Sequence, residues 1–235
     1  MLENLDCKPP LRPAESAETN LIGAILDGRF PIGASLPAER ELAARLGVTR
    51  PTLREALQRL ARDGWLEIRQ GKPTRVRDYW QEGNLAVLGV IARQSENLPA
   101  EFVPNLLFVR QLLAPSYTRL AIEKLPQQIA QFLQGYLDLP DQPEAFVTAD
   151  WKLHHQLTVA SGNPIFTLIW NGFYDLYQSV GPTYFSSPHS RVNSRAFYSD
   201  LFQAALARDP DTAEALTRRV MRDSLMLWQT AIYKT

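Results

Sequence analysis

Two kinds of hydrophobic pattern divide the chain. Over roughly the first third, short helical patterns alternate with turn residues and end in two strand-like runs. From residue 85 onward, apolar residues recur three and four positions apart, which is the spacing of amphipathic helices. The change predicts a small mixed domain at 14–79 and an all-α domain at 80–235. The polar, proline-rich residues 1–13 are predicted to form a flexible arm.

The first domain has the element order helix, helix, helix, hairpin, which is that of a winged helix-turn-helix. Gly28, Gly47 and Gly64 end the three helical patterns, and Thr49 is a good N-cap for the third. The predicted helices cover 14–27, 38–46 and 49–63, and the predicted strands of a small β-hairpin cover 65–69 and 74–77.

The segment from Glu39 to Arg54 predicts the helix-turn-helix itself. Two helices that cross closely require a small side chain at the crossing, which Ala43 supplies, and Gly47 supplies a residue free to adopt the backbone angle of the turn. A recognition helix reads the major groove of DNA with the outward residues at its N-terminal end. In this chain those residues are Thr49, Arg50, Thr52 and Arg54.

Charge favours a polyanionic partner for this domain. Between Arg40 and Arg77 there are ten basic and four acidic residues, a net charge of +6, whereas the whole chain is neutral and the remainder must carry −6. Lys72 and Arg75 lie at the hairpin, where they are predicted to reach the DNA backbone or minor groove. A merely solvated basic face is the alternative, but helix spacing, charge and hairpin all agree with DNA binding.

The second domain is predicted to be an all-α helical bundle. Proline, glycine and asparagine mark the breaks between its helices, and Pro182 is interpreted as one of these breaks. The predicted helices cover 85–94, 101–123, 127–137, 145–160, 165–177, 190–207 and 212–233. We find no nucleophile elbow, glycine-rich phosphate loop or metal-ligand cluster, so the sequence predicts that the protein is not an enzyme. Acyl-CoA hydrolysis by Asp150 with His154 or His155 is a distant alternative.

Cysteine content and the N-terminus suggest a cytoplasmic protein. Cys7 is the only cysteine, which excludes an internal disulfide and fits a reducing compartment. The first residues have no apolar core of a signal peptide, and no apolar run has the length needed to span a bilayer. The sequence therefore predicts no membrane partner.

Several motifs resemble a known family. Residues 36–42, Leu-Pro-Ala-Glu-Arg-Glu-Leu, followed by Gly47-Val48-Thr49-Arg50, resemble the GntR family of bacterial transcription regulators. Further segments resemble the FadR type within that family, which regulates fatty-acid metabolism. These segments are 60–66, 71–74, 105–110, 160–165 and 171–172.

The resemblance implies a homodimer that binds a palindromic operator, represses fatty-acid degradation genes and activates unsaturated fatty-acid synthesis genes. It also implies that long-chain acyl-CoA, as effector and not as cofactor, binds the helical domain and releases the DNA. Pro51 and Gln70 depart from the family pattern; Gln70 can still donate a hydrogen bond, whereas Pro51 offers only packing. The implied DNA contacts are Arg40, Thr49, Arg50, Thr52, Arg54, Gln70, Gly71 and Lys72.

For the effector, the resemblance implies four ligand-binding residues: Arg110, Tyr177, Ser224 and Trp228. Arg110 suits a CoA phosphate because its guanidinium is permanently charged and has a planar fork of donors. Tyr177 and Trp228 are expected to line the thioester or acyl portion. The residues alone leave another interpretation open, in which the aromatic side chains are core and Arg110 pairs with an acid.

Relatives of such helical domains suggest a rival function. The resemblance extends to many regulators with a similar helical domain. Those regulators bind a divalent metal through one Asp and three His, and they sense small organic acids. Asp150 and His154 have the required spacing of four, but the two remaining ligand positions correspond to Tyr198 and Val220. Since valine cannot ligate a metal, we expect no metal site and interpret Asp150 and His154 as a local hydrogen-bonded pair.

Overall fold

A computed structural model describes residues 12–94 and 98–232. The chain divides into two compact units between residues 96 and 97, which is 17 residues beyond the boundary predicted at residue 79. The arm predicted at 1–13 lies outside the described residues except for its last two positions. Among the described residues, no helix is both long and apolar enough to cross a membrane.

The first unit has the predicted order of three helices and a hairpin, followed by two further helices. The hairpin pairs Leu66 with Val76 and Glu67 with Arg75, and an additional bridge joins Ser35 to Arg75. Its strands are shorter than predicted. The elements are α1 (Pro13–Leu26), α2 (Glu39–Leu46), α3 (Arg50–Arg62), β1 (Leu66–Glu67), β2 (Arg75–Val76), α4 (Tyr79–Glu82) and α5 (Leu85–Gln94).

The helix-turn-helix forms for the reasons that its sequence suggests. Ala43 and Leu53 are buried where α2 and α3 pack together, and the small Ala43 side chain permits the close approach. Gly47 adopts a left-handed conformation with φ of 66°, so the chain turns at this residue without a Cβ penalty. The predicted recognition helix, α3, is thereby fixed on a buried apolar core.

A contact between two glycines attaches the segment after the hairpin to the winged helix. A Cβ atom on Gly64 would lie 2.8 Å from the Cα of Gly83, so neither residue tolerates a side chain without a shift. Gly64 also has φ of 96°, which favours glycine. Trp65 is fully buried next to this contact and its ring packs on Tyr79. These contacts hold α4 on the first unit.

The second unit is all α, as predicted. The long helices α6 and α12 make its most extensive helix pair, and α7, α8, α9, α10 and α11 pack around them. Five of these described helices begin with proline, whose missing N–H costs no hydrogen bond at this position. The elements are α6 (Phe102–Lys124), α7 (Pro126–Gln134), α8 (Pro143–Ala160), α9 (Pro164–Gly172), α10 (Tyr174–Ser186), α11 (Pro188–Ala207) and α12 (Pro210–Ile232).

Two predictions about this unit were wrong. The single helix expected at 165–177 is two helices, which separate at Phe173. The break expected at Pro182 does not occur, because α10 continues through it to Ser186. The following residues, Tyr184 and Phe185, are buried, so tertiary packing outweighs the local cost of an internal proline.

Candidate DNA-binding surface and effector cavity

The start of α3 combines a helix cap with an exposed polar surface. The Thr49 hydroxyl accepts a hydrogen bond from the Thr52 amide at 3.3 Å, and the two threonine hydroxyls lie 2.8 Å apart. Thr49 and Arg50 are exposed, whereas Thr52 is half-buried. The positive end of the helix, where a phosphate is stabilised, therefore carries both hydroxyls and a cation.

The basic side chains of the first unit fall into two groups. Arg54 pairs with Glu39 at 2.8 Å, and Arg45 pairs with Glu41 at 2.5 Å. In contrast, three exposed cations at predicted contact positions make no ion pair within the described part of the chain: Arg40, Arg50 and Lys72. These three are free to accept an external anionic partner, whereas Arg54 must leave Glu39 or bind DNA together with it.

The hairpin tip presents the remaining predicted contacts. Gln70, Gly71 and Lys72 are all exposed there, and Gly71 has φ of 71°, which a side chain would strain. Arg75, whose contact with DNA stays a prediction, is exposed and donates from Nε to the Gly33 carbonyl at 2.8 Å, which ties the hairpin to the loop before α2. The structure therefore brings the tip residues together and gives Arg75 a role in holding the hairpin.

A small, partly enclosed cavity lies in the second unit, between α6, α10 and α12. Three of the four predicted ligand residues line it: Arg110, Tyr177 and Trp228. The fourth, Ser224, does not line the cavity, but its hydroxyl accepts a hydrogen bond from the lining residue Tyr184 at 3.1 Å. The cavity has a volume of about 30 Å³, which is room for only one or two water molecules.

Arg110 is held by a buried network. Its guanidinium donates to the Asp150 carboxylate at 3.2 Å and lies 5.5 Å from the ring centres of both Trp170 and Tyr177. The same carboxylate accepts a hydrogen bond from Tyr177 and another, at 2.9 Å, from Tyr198. Asp150 therefore balances the charge of Arg110 inside the protein.

The environment fixes the charges of this network. Burial raises the pKa of Asp150. The neighbouring His154, the Arg110 guanidinium and the two tyrosine hydroxyls outweigh this effect and bring the pKa below its ordinary value. Burial, with a smaller effect of Arg110, lowers the pKa of His154 to about 4 against the opposing effect of Asp150. At neutral pH, Asp150 is ionised and His154 is neutral.

The predicted hydrogen bond between Asp150 and His154 is not formed. Their closest oxygen and nitrogen atoms are 3.8 Å apart, and His154 instead bonds through Nδ1 to the Tyr117 hydroxyl at 2.7 Å. At the two remaining ligand positions of the metal-binding relatives, Tyr198 donates a hydrogen bond to Asp150 and Val220 is buried. Within 12–94 and 98–232, no group of three or more His, Cys, Asp or Glu residues could hold a metal ion.

Sequence reasoning missed part of the cavity wall. Tyr184 and Gly181 of α10 line it, because α10 continues through Pro182, where the pattern predicted a break. Trp170 of α9, which was also missed, does not line the cavity, but its ring centre lies 5.5 Å from the Arg110 guanidinium. The apolar residues of α10 keep their helical spacing across Pro182, and this pattern could have predicted that Gly181 and Tyr184 lie on one continuous helix.

Comparisons with known proteins identify the class. Residues 13–76 match the family described as "Bacterial regulatory proteins, gntR family", and residues 77–234 match the "FadR C-terminal domain". The exposed recognition helix and hairpin are thus those of a DNA-binding transcription regulator. The chain belongs to the GntR family, and its helical unit is of the FadR type.

Curated relatives agree along almost the whole chain. The "Fatty acid metabolism regulator protein" of Shewanella denitrificans is 44% identical over 218 residues, covering 92% of this chain and 91% of the relative. The protein of the same name from Serratia proteamaculans is 42% identical, covering 93% and 91%. A solved structure of Lar, which controls the agr system of Listeria monocytogenes, has a TM-score of 0.63 at 16% identity and covers 94% of this chain and 98% of its own. This last likeness concerns the fold alone.

Proposed function

We propose that this protein regulates fatty-acid metabolism by binding operator DNA as a homodimer and leaving it when long-chain acyl-CoA binds the helical unit. It represses fatty-acid degradation genes and activates unsaturated fatty-acid synthesis genes. The relatives named fatty acid metabolism regulator protein support the metabolic assignment. Acyl-CoA is the effector in this proposal, which includes neither a cofactor nor a metal. The proposal places the protein in the cytoplasm.

The observation that carries the effector assignment is a pair of unused hydrogen-bond donors. Arg110 Nε and Trp228 Nε1 are both buried, both belong to residues that line the cavity, and neither has an acceptor among the described residues. A buried donor without a partner is costly, so a ligand oxygen that meets it gains affinity. An acyl-CoA offers phosphate and thioester oxygens for these donors and an acyl chain for the surrounding apolar residues.

The cavity size connects ligand binding to a conformational change. The space that is present holds water but not an acyl chain, so binding requires the helices around the cavity to separate. A ligand that binds only the opened state shifts the population toward it. In the proposed dimer, the opened state holds the two recognition helices at a spacing that no longer matches half-sites about one DNA turn apart.

The first experiment is fluorescence anisotropy with a palindromic operator probe at fixed salt, because phosphate contacts make DNA affinity depend steeply on salt. Oleoyl-CoA is titrated into the complex, with free oleate and free CoA as controls. We expect release by the thioester alone. Tight DNA binding that ignores the thioester would retain the regulator and remove the acyl-CoA assignment.

The conservative variant Trp228→Phe tests the unused donor. It keeps an aromatic ring in the cavity and removes the indole N–H, so the concentration of oleoyl-CoA for half-release should rise by roughly 2- to 10-fold. Affinity for DNA without effector should not change. Trp65→Phe is the matched control, because its indole N–H is also buried without an acceptor among the described residues, but Trp65 belongs to the first unit and does not line the cavity. An equal effect of both variants would refute the contact.

A further inference from the structure

A second opening in the helical unit shares no residue with the effector cavity. It is a solvent-open cleft of about 510 Å³ formed by α7, α8, the end of α9 and the start of α10. Ligand sites in proteins have volumes of roughly 300–1,000 Å³, so a small organic molecule fits without any rearrangement. The chemistry of the lining residues indicates which class of molecule this is.

The cleft has aromatic walls whose orientation is fixed. Trp151 stacks on the buried Trp170 with ring centres 4.9 Å apart and an angle of 20° between the planes. Tyr174 meets Trp151 edge-on at 5.1 Å and is about half exposed. A flat ring that enters the cleft therefore finds aromatic surfaces that are held in place before it binds.

Polar side chains without partners surround these rings. Lys152, His155 and Gln156 lie on one face of α8, and Asn171 lies at the end of α9. None of the four side chains makes a hydrogen bond or ion pair to another described residue, and no carboxylate lines the cleft. The cleft therefore offers a positive charge and both donors and acceptors, all of them available to a ligand.

We propose that this cleft is a second ligand site, for a nucleoside monophosphate. The aromatic walls suit the base, because nucleobases stack on aromatic side chains without regard to sequence. Lys152, with His155 beside it, suits the phosphate, since charge-assisted hydrogen bonds are the strong ones. The carboxamides of Gln156 and Asn171 suit the base edge, which presents donors and acceptors side by side.

Calorimetric titration of the full-length protein with AMP tests the site. We expect one AMP bound per chain, with weaker binding of adenosine and of inorganic phosphate. Phosphate that binds as tightly as AMP would reduce the cleft to a simple anion site and overturn recognition of the base. No heat of binding with AMP at millimolar concentration would overturn the proposal altogether.

Charge-removing variants locate the binding. Lys152→Gln should weaken AMP binding by about tenfold, because it removes a charge-assisted hydrogen bond to the phosphate. Arg222→Gln is the matched control, since Arg222 is an exposed cation on α12 that makes no ion pair within the described residues. Equal weakening by both variants would indicate a general charge effect and contradict the site.

The proposal stands independently of the acyl-CoA assignment. Trp228→Phe, in the effector cavity, should leave AMP binding unchanged, and saturating oleoyl-CoA should not displace AMP. Displacement would overturn the claim of a separate site, because it would place the nucleotide end of the thioester in the cleft. If the protein binds AMP but never responds to oleoyl-CoA, this inference survives and the proposed effector does not.

Discussion

Arginine is used in opposite ways in the two units. In the winged helix, Arg50 is exposed at the start of α3 and makes no ion pair within the described residues. In the helical unit, Arg110 is buried, 3.2 Å from the carboxylate of Asp150. The first arrangement leaves a charge for an external polyanion, and the second balances a charge inside the protein before any ligand arrives.

The difference has energetic consequences. An exposed cation is hydrated and screened by salt, so its removal changes DNA affinity more than folding stability. A buried cation is tolerated only with its partner, so removal of the partner changes folding stability first. Mutations therefore distinguish the two uses, and the expected effects differ in size.

The largest effect should follow from Asp150→Ala. This change leaves the Arg110 guanidinium buried without its counter-ion, and the free energy of unfolding should fall by about 3–5 kcal/mol. Urea denaturation measures the loss. The control Asp200→Ala removes the carboxylate of an exposed pair, 3.3 Å from Arg219, and should cost less than about 1 kcal/mol. Equal losses would contradict the distinction between buried and exposed pairs.

A double variant sharpens this prediction. Replacing both charges, by Asp150→Leu with Arg110→Met, removes the buried charge together with its partner. Such replacements are often neutral or even stabilising, so the double variant should be more stable than Asp150→Ala alone. A double variant no more stable than the single one would indicate that the tyrosine hydrogen bonds to Asp150, and not the ion pair, stabilise the network.

The next effect concerns pH. The pKa of His154 is about 4 in the folded protein and 6.5 by the ordinary value, so the unfolded chain binds more protons between these limits. Stability should therefore rise as pH increases from 4 to 6.5, by about 3 kcal/mol from this group. His154→Gln should flatten this part of the profile, whereas His189→Gln, on an exposed residue, should not. An unchanged slope in His154→Gln would contradict a neutral buried imidazole.

The recognition helix was predictable because its signals are local. Thr49 as N-cap, Gly47 in the turn and Ala43 at the helix crossing each act within a few residues of their position, and the structure confirms all three. The family resemblance also indicated ligand residues that lie far apart in sequence. The structure brings Arg110, Tyr177 and Trp228 to one cavity, although their role in binding stays a prediction.

The partners inside the helical unit could not be read from local spacing. Asp150 and His154 lie four residues apart on one helix, which favoured a pair, but hydroxyls from Tyr177 and Tyr198 occupy the carboxylate instead. Those partners come from other helices, so only tertiary packing decides between them and the histidine. Pro182 shows the same limit, because packing of α10 overrides a local signal for a break.

At the DNA surface, Arg50→Ala and Lys72→Ala should differ in kind. If Arg50 reads a base, its loss should cost about 1–3 kcal/mol of binding and relax preference at one operator position. Loss of Lys72 from the hairpin tip should weaken binding to all sequences alike and reduce the salt slope by about one. Anisotropy with operator and scrambled probes at several salt concentrations measures both. Arg45→Ala, which removes a cation paired with Glu41, is the control.

The smallest effect belongs to Thr49, whose hydroxyl serves both the helix and its surface. Thr49→Ala removes the acceptor for the Thr52 amide and should lower the free energy of unfolding by about 1 kcal/mol. Thr49→Ser keeps the cap and should restore stability. Both variants are measured without DNA, so a lower free energy of unfolding reports the stability of α3. A Thr49→Ala protein that is as stable as the original but binds DNA more weakly would contradict the cap and assign the hydroxyl to the DNA phosphate backbone alone.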